Sequence, residues 1–257
     1  MIISILGAGA FGTALGKIVT DNGHEVHYFD PQKYPNVSLE QATDGAHAVI
    51  IAIPSIFIPD FIANYPANLK NCPTILASKG LTNLDCFKDF LHFSVLSGPA
   101  FAEDILAGKP ATFTASDPFA MGLMKNEQIT IELVDDPLGI ILCGSLKNVY
   151  AIGSGFQSAS GHDVATYIEH AHNEMADYLE KHGAERKTAD LACGIGDLIL
   201  TCTNDTSRNF RCGQRLQAGE SIESILNDLK TVEGYSTAQI IDTEGYPILS
   251  KVQSIIS

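Results

Sequence analysis

Basic residues are scarce: 16 lysines and arginines stand against 30 aspartates and glutamates, leaving a formal charge of -14. Nucleic-acid binding draws its affinity from neutralised phosphates, so this balance speaks against that class of function. A small anionic ligand remains compatible, because a few cations focused in a cleft can override the average field. Such cations should be few and local. The six cysteines (Cys72, Cys86, Cys143, Cys193, Cys202 and Cys212) include no C-x-x-C pair. That spacing offers no zinc cluster, and a disulfide framework suits a smaller, loop-rich chain. Free thiols and no metal are expected. No apolar run reaches the length of about 18 residues that a membrane span needs. The apolar start stops at Gly7, too early for a signal peptide. These absences together predict a cytoplasmic protein.

What is present is an alternation of short apolar runs and amphipathic stretches. Ile2 to Leu6, Glu25 to Asp30, Ala48 to Ile53, Thr74 to Ala77, Phe93 to Leu96, Ala111 to Ala115 and Ile129 to Val134 read as strands. Helical patterns lie between them, at Phe11 to Asp21, Ile56 to Asn64, Leu84 to Leu91, Phe101 to Ala107 and Pro118 to Lys125. This predicts an α/β fold with a Rossmann-type, mostly parallel sheet, whose ligands bind at the carboxyl ends of the strands. After Asp135-Asp136-Pro137 the pattern becomes helical: Leu138 to Gln157, Val164 to His182, Thr188 to Leu200, Asn209 to Gln217 and Ile222 to Leu229. The expected organisation is a dinucleotide-binding domain over residues 1–136 and an all-helical substrate-binding and catalytic domain over residues 137–257.

Gly7-Ala8-Gly9-Ala10-Phe11-Gly12 fits G-x-G-x-x-G between the first strand and the first helix. Gly7 suits the tight turn, Gly9 leaves room for a pyrophosphate, and Gly12 allows close helix packing. Asp30, at the end of the second strand, can accept from adenosine ribose hydroxyls and would repel a 2′-phosphate, which favours NADH over NADPH. In the second half, the helix around Leu138 to Gln157 is apolar almost all round, yet it carries Lys147. Ile140, Gly144, Lys147 and Ala151 share one face. A lysine buried there has its pKa drawn toward the range useful for proton transfer. Lys79-Gly80 follows the fourth strand and brings a second cation to the sheet edge. Asp197 stands beside the Gly194-Ile195-Gly196 turn. Ser207-Arg208-Asn209, with Arg211, makes a polar, cationic helix start suited to a phosphate.

These motifs in this order resemble the bacterial NAD(P)-dependent glycerol-3-phosphate dehydrogenases. The resemblance runs through G-A-G-x-F-G-T-A-L, I-P-S at Ile53 to Ser55, S-K-G at Ser78 to Gly80 and L-S-G-P at Leu96 to Pro99. It continues through L-K-N-V at Leu146 to Val149, G-D-L at Gly196 to Leu198, T-C-T, S-R-N, and V-E-G-x-S-T-A from Val232 to Ala238. It implies reduction of dihydroxyacetone phosphate to sn-glycerol 3-phosphate, with NAD or NADP as cofactor and Lys147 as the proton donor. It further implies that Asp197 orients Lys147 and binds substrate, and that Lys79 touches both ligands. Arg208 and Asn209 would hold the phosphate. Ala10, Phe11, Ala102, Arg208, Val232 and Glu233 fall at cofactor positions, joining Gly7, Gly9, Gly12 and Asp30. Gly98, Ala100 and Ser207 fall at substrate positions. Three departures stand out. Ala100 lacks the hydroxyl that family members often carry there, Gly161-His162-Asp163-Val164-Ala165 replaces G-x-N-x-K, and Asp30 replaces a residue that is commonly arginine.

Two other functions fit parts of the pattern: a β-hydroxyacid dehydrogenase of similar architecture, and a non-catalytic NAD-binding sensor. The first would need a carboxylate-binding signature in place of Ser-Arg-Asn. A homodimer through the helical half is compatible with the sequence but not dictated by it. His170 and His172 in Glu169-His170-Ala171-His172-Asn173-Glu174 point to opposite sides of a helix, so they cannot chelate one ion together, and the segment is expected on a solvated face.

Overall fold

Seven strands form at the apolar runs: β1 (Ile2–Leu6), β2 (Glu25–Phe29), β3 (Ala48–Ile51), β4 (Thr74–Leu76), β5 (Phe93–Ser97), β6 (Ala111–Ala115) and β7 (Ile129–Leu133). The computed structural model describes residues 1–257 and falls into two compact units, Met1–Pro137 and Leu138–Ser257. In the first unit the strands make one sheet in the order β2-β1-β3-β4-β5-β6-β7. Every neighbouring pair is parallel except β5 with β6. The expected mostly parallel sheet is therefore present. β1 lies between β2 and β3, so the strand order reverses there. Such a switch point opens a crevice at the strands' carboxyl ends. β1 and β3 are both interior strands, and their Ile3, Ile5, Leu6, Val49, Ile50 and Ile51 are wholly buried. This explains runs that are continuous rather than alternating.

The helices of this unit are α1 (Ala10–Asp21), α2 (Leu39–Thr43), α3 (Ile58–Ala63), α4 (Ala102–Leu106) and α5 (Pro118–Met124). Ala14, Leu15, Ile18 and Val19 of α1 join Ile105, Leu123 and Phe113 in the core over one sheet face. Asp117 caps α5 by accepting from the N–H groups of Phe119 and Ala120. The helix expected over residues 84–91 is only a 3-10 turn, Leu84–Phe87. Phe87 and Phe90 are drawn instead into a ring cluster with Tyr65 and Phe93, which fixes the chain by tertiary packing.

The second unit contains α6 (Pro137–Ala159), α7 (Val164–Lys181), α8 (Asp197–Cys202), α9 (Arg208–Gln217), α10 (Ile222–Leu229), α11 (Glu233–Ala238) and α12 (Pro247–Ile256). α6 is buried continuously from Gly139 to Gly155, as its apolar circumference requires. It crosses α9 backbone to backbone. A Cβ on Gly155 would lie 1.9 Å from the Phe210 carbonyl oxygen, and one on Gly213 would lie 1.9 Å from that of Ile152. Only glycine on both helices permits this approach.

Two expectations are corrected here. The single helix expected from Thr188 to Leu200 is broken into a 3-10 turn (Arg186–Asp190), a π-helical turn (Ala192–Gly196) and α8. Gly194 folds back so closely that a Cβ would meet the Ala189 carbonyl oxygen at 2.2 Å. Glu174 does not lie on a solvated face. It is buried, and its two carboxylate oxygens accept from the N–H groups of Ile248 and Leu249 at 2.8 and 2.9 Å. It thereby satisfies the N-terminal donors of α12, a helix the sequence pattern did not announce.

Candidate active site

The glycine turn after β1 is built as its sequence demands. Gly7 has φ +103, and a Cβ there would meet the Ala52 carbonyl oxygen at 2.8 Å. At Gly12 a Cβ would fall 1.9 Å from the Gly7 oxygen, so α1 starts hard against the turn. A Cβ on Gly9 would touch nothing within 4 Å, and Gly9 and Ala10 are both exposed. Gly9 is also the N-cap of α1 and gives it no side-chain cap. An open cradle lined by first-turn N–H donors fits a pyrophosphate.

Asp30 is tied into this turn. One carboxylate oxygen accepts from Ala8 N–H at 2.9 Å, and the other from the N–H groups of Gln32 and Lys33 at 2.9 and 3.1 Å. Burial works against its ionisation, but the three backbone donors and the Lys33 charge outweigh it, so its pKa lies below the ordinary range. The sequence suggests a ribose acceptor that would repel a 2′-phosphate. The structure adds a clamp between the end of β2 and the glycine turn. A carboxylate still has a lone pair to spare for a hydroxyl.

Beyond β4, the Lys79 ammonium donates to the Gly98 carbonyl oxygen at 3.2 Å and lies 5.2 Å from the centre of the Phe11 ring. Phe11 packs in turn on Phe113. Thus Phe11, Lys79 and Gly98, separate in sequence, meet at one edge of the first unit. Ala100 is buried behind this edge, and Ala102 opens α4. Ile56 and Phe57, on the turn after β3, are 72% and 60% exposed. Their sequence pattern predicts a helix from Ile56 and assigns them no role, whereas they lie in a 3-10 turn.

In the second unit, the Lys147 Nζ lies 2.6 Å from Asp197 Oδ1, and the two side chains are 5% and 1% exposed. The π turn before α8 delivers Asp197 to this position, a common use of such turns at functional sites. Thr201 completes the group. Its hydroxyl donates to the Asp197 carbonyl oxygen at 2.6 Å and accepts from Lys147 Nζ at 3.2 Å. Thr201 was only part of the T-C-T motif, with no assigned role; its position one helical turn after Asp197 was the available signal. Cys202 is fully buried beside this pair, and burial pushes its thiol well up, the Lys147 charge opposing only in part.

Ser207 caps α9 by accepting from Phe210 N–H, while Arg208 at the first helical position is exposed. Asn209 is buried and turns the other way, into the protein. Its Nδ2 donates to Asn148 Oδ1 at 2.9 Å, and its Oδ1 accepts from Gly234 N–H at 2.9 Å. Asn148 Nδ2 donates to Glu233 Oε2 at 3.0 Å. Val232, buried, precedes this junction. Asn209 and Glu233 are therefore brought together through Asn148, the residue after Lys147. In the sequence Asn148 is only part of the L-K-N-V motif, which gives it no role of its own.

Residues 136–257 match the family model described as NAD-dependent glycerol-3-phosphate dehydrogenase C-terminus. Residues 2–36 and 34–120 match the one described as the N-terminus of the same enzymes. A glycerol-3-phosphate dehydrogenase [NAD(P)+] of Listeria monocytogenes is 32% identical over 93% of this chain and 85% of its own. One of Staphylococcus carnosus is 28% identical over 93% and 86%. The crystal structure of glycerol-3-phosphate dehydrogenase from Coxiella burnetii has the same fold, with a TM-score of 0.85 at 22% identity over 99% of this chain and 94% of that one.

Proposed function

Because the chain belongs to the NAD-dependent glycerol-3-phosphate dehydrogenase family, we propose that it reduces dihydroxyacetone phosphate to sn-glycerol 3-phosphate with NAD(P)H. The observation that carries the chemistry is the buried Lys147–Asp197 pair. The nicotinamide cofactor supplies the hydride when bound. Lys147 stabilises the negative charge that develops on the substrate's carbonyl oxygen and hands over a proton from Nζ. Asp197 and Thr201 hold that ammonium in one orientation, so little reorganisation accompanies the transfer. Gly7, Gly9, Ala10 and Gly12 receive the pyrophosphate, and Asp30 the adenosine ribose. Phe11, Lys79, Ala102, Val232 and Glu233 serve the rest of the cofactor. Arg208 supplies the exposed guanidinium for the substrate phosphate, with Asn209 and Ser207 at the same helix start and Gly98 and Ala100 beside Lys79.

An absorbance assay at the nicotinamide band tests this reading. Oxidation of NADH with dihydroxyacetone phosphate, and not with small keto-acids, is the expected result. Turnover with keto-acids alone would transfer the chain to the β-hydroxyacid enzymes. Binding of NADH without turnover on any phosphorylated ketone would make it a sensor. No helix is long and apolar enough to cross a membrane. The likeness to bacterial relatives supports a cytoplasmic location, and a homodimer is the oligomeric form to test by sedimentation.

A further inference from the structure

Three helices of the second unit are joined next to Lys147 by a closed circuit of hydrogen bonds. Asn148 of α6 donates to Glu233 and accepts from Asn209 of α9, and Asn209 accepts from Gly234 N–H of α11. Gly234 follows Glu233 directly, so the backbone closes the loop. Each amide is used at both ends, which dictates its orientation. Asn148 and Asn209 are buried, 3% and 7% exposed, so any break strands a polar group away from water. The fit has no slack: a Cβ on Gly234 would come within 2.3 Å of the Asn148 carbonyl oxygen and 2.9 Å of Asn209 Oδ1.

The circuit joins two ligand segments. Residues 232–233 face the cofactor and residues 207–209 the substrate phosphate on the reading above, on which this inference rests. We infer that Asn148 is a positioning residue that couples the two, so that ordering either segment orders the other and each ligand tightens the binding of its fellow. On this inference Asn148 acts through Asn209 and Glu233, its partners on the two segments. A shift of α9 toward a phosphate moves Asn209, hence the Asn148 amide and the Gly234 N–H, hence the Glu233 carboxylate. The same linkage runs in reverse, as reciprocity requires. Lys147 shares the helix, so its ammonium is registered against both segments.

Fluorescence titration of the whole protein with NADH, with and without saturating glycerol 3-phosphate, measures the coupling. With this pair of ligands no hydride is transferred. In the wild type, glycerol 3-phosphate should lower the Kd for NADH by about tenfold, within the ordinary range for linked sites. In Asn148→Ala the factor should fall below about twofold while far-ultraviolet circular dichroism stays native. A simple structural role would weaken both ligands and leave the factor unchanged, and that result overturns the inference. Should Asn148→Ala fail to fold, hydrogen exchange on the wild type decides. Glycerol 3-phosphate alone should slow exchange across residues 231–238, and an unchanged rate there refutes the coupling. Wild-type turnover separates the two levels. No reaction with dihydroxyacetone phosphate and no binding of glycerol 3-phosphate removes the underlying function, whereas turnover with uncoupled binding removes only this inference.

Discussion

The ammonium of Lys147 and the carboxylate of Asp197 form a 2.6 Å ion pair sealed from solvent, with Thr201 bridging them. Two charges removed from water hold together only when each keeps its partner, and removing one leaves the other uncompensated. On the proposed function the same pairing holds the Lys147 ammonium at a defined place for proton donation. Lys147→Ala should lower kcat by about 10²–10⁴-fold, the usual contribution of a positioned acid, while NADH binding persists. Asp197→Asn should reduce kcat less and should also lower the unfolding midpoint. Stopped-flow turnover with parallel NADH titration measures both effects, and near-normal kcat in Lys147→Ala would refute the assignment.

Asp30 combines two roles that a substitution can separate. Its carboxylate, with a pKa lowered by the donors around it, secures Ala8 in the glycine turn and, on the proposed function, would oppose a 2′-phosphate. Asp30→Asn should lower the ratio of kcat/KM for NADH to that for NADPH by about tenfold or more, since the repelled charge is close and partly desolvated. It should also weaken both cofactors to some extent, because Asn accepts fewer hydrogen bonds than a carboxylate. A ratio that does not move would mean that the clamp is the residue's whole contribution.

Glu174 gives the second unit a pH dependence of unusual sign for a carboxylate. Burial pushes its pKa above the ordinary 4.5, overcoming the lowering by the Ile248 and Leu249 donors, with Asp177 adding to the rise. Between the unfolded value and the raised folded value the native state holds the extra proton. This contribution to stability is present below about pH 4.5 and is lost as pH rises through the folded value. Glu174→Gln should remove that increment from the difference between stability curves. It should also cost about 1–3 kcal/mol at neutral pH, since one α12 donor then faces an amide N–H₂. Urea unfolding across pH 4 to 8 checks both.

Lys230, the C-cap of α10, is the sole non-glycine residue with positive φ. At φ 60 and ψ −64, with Thr231 N–H donating to the Leu229 carbonyl oxygen at 2.7 Å, it makes the rare, strained form of γ-turn. Such conformations cost about 1–3 kcal/mol, and glycine adopts them freely while losing more entropy on folding. Lys230→Gly should therefore raise the unfolding midpoint slightly, by the excess of the first quantity over the second. A lowered midpoint in calorimetry would show that the turn carries no strain.

Much of the fold was legible because its signals are local. Runs such as Ile2–Leu6 and Ala48–Ile51 are buried on both faces of a parallel sheet and read as unbroken apolar stretches, and the glycine turn announces itself by spacing. The six residues of α11 and the start of α12 were not legible. One is too short to show a period, and the other takes its N-terminal hydrogen bonds from Glu174 on a distant helix. The helix pattern over residues 188–200 misled for a related reason. The residues suit a helix, but the contact of Gly194 with Ala189 bends them into a π turn.

The order of motifs by itself pointed to the family, the sheet and the candidate site residues, because each is written in residue types at short spacing. It named Lys147, Asp197, Asn209 and Glu233 one by one. Tertiary structure alone decided that Thr201 bridges the first two and Asn148 the last two, that Asp30 holds the glycine turn, and that Glu174 is buried. Each of these depends on how desolvated polar groups find partners across the fold. Partnership of that kind is settled by distance in space, which spacing along a chain does not encode.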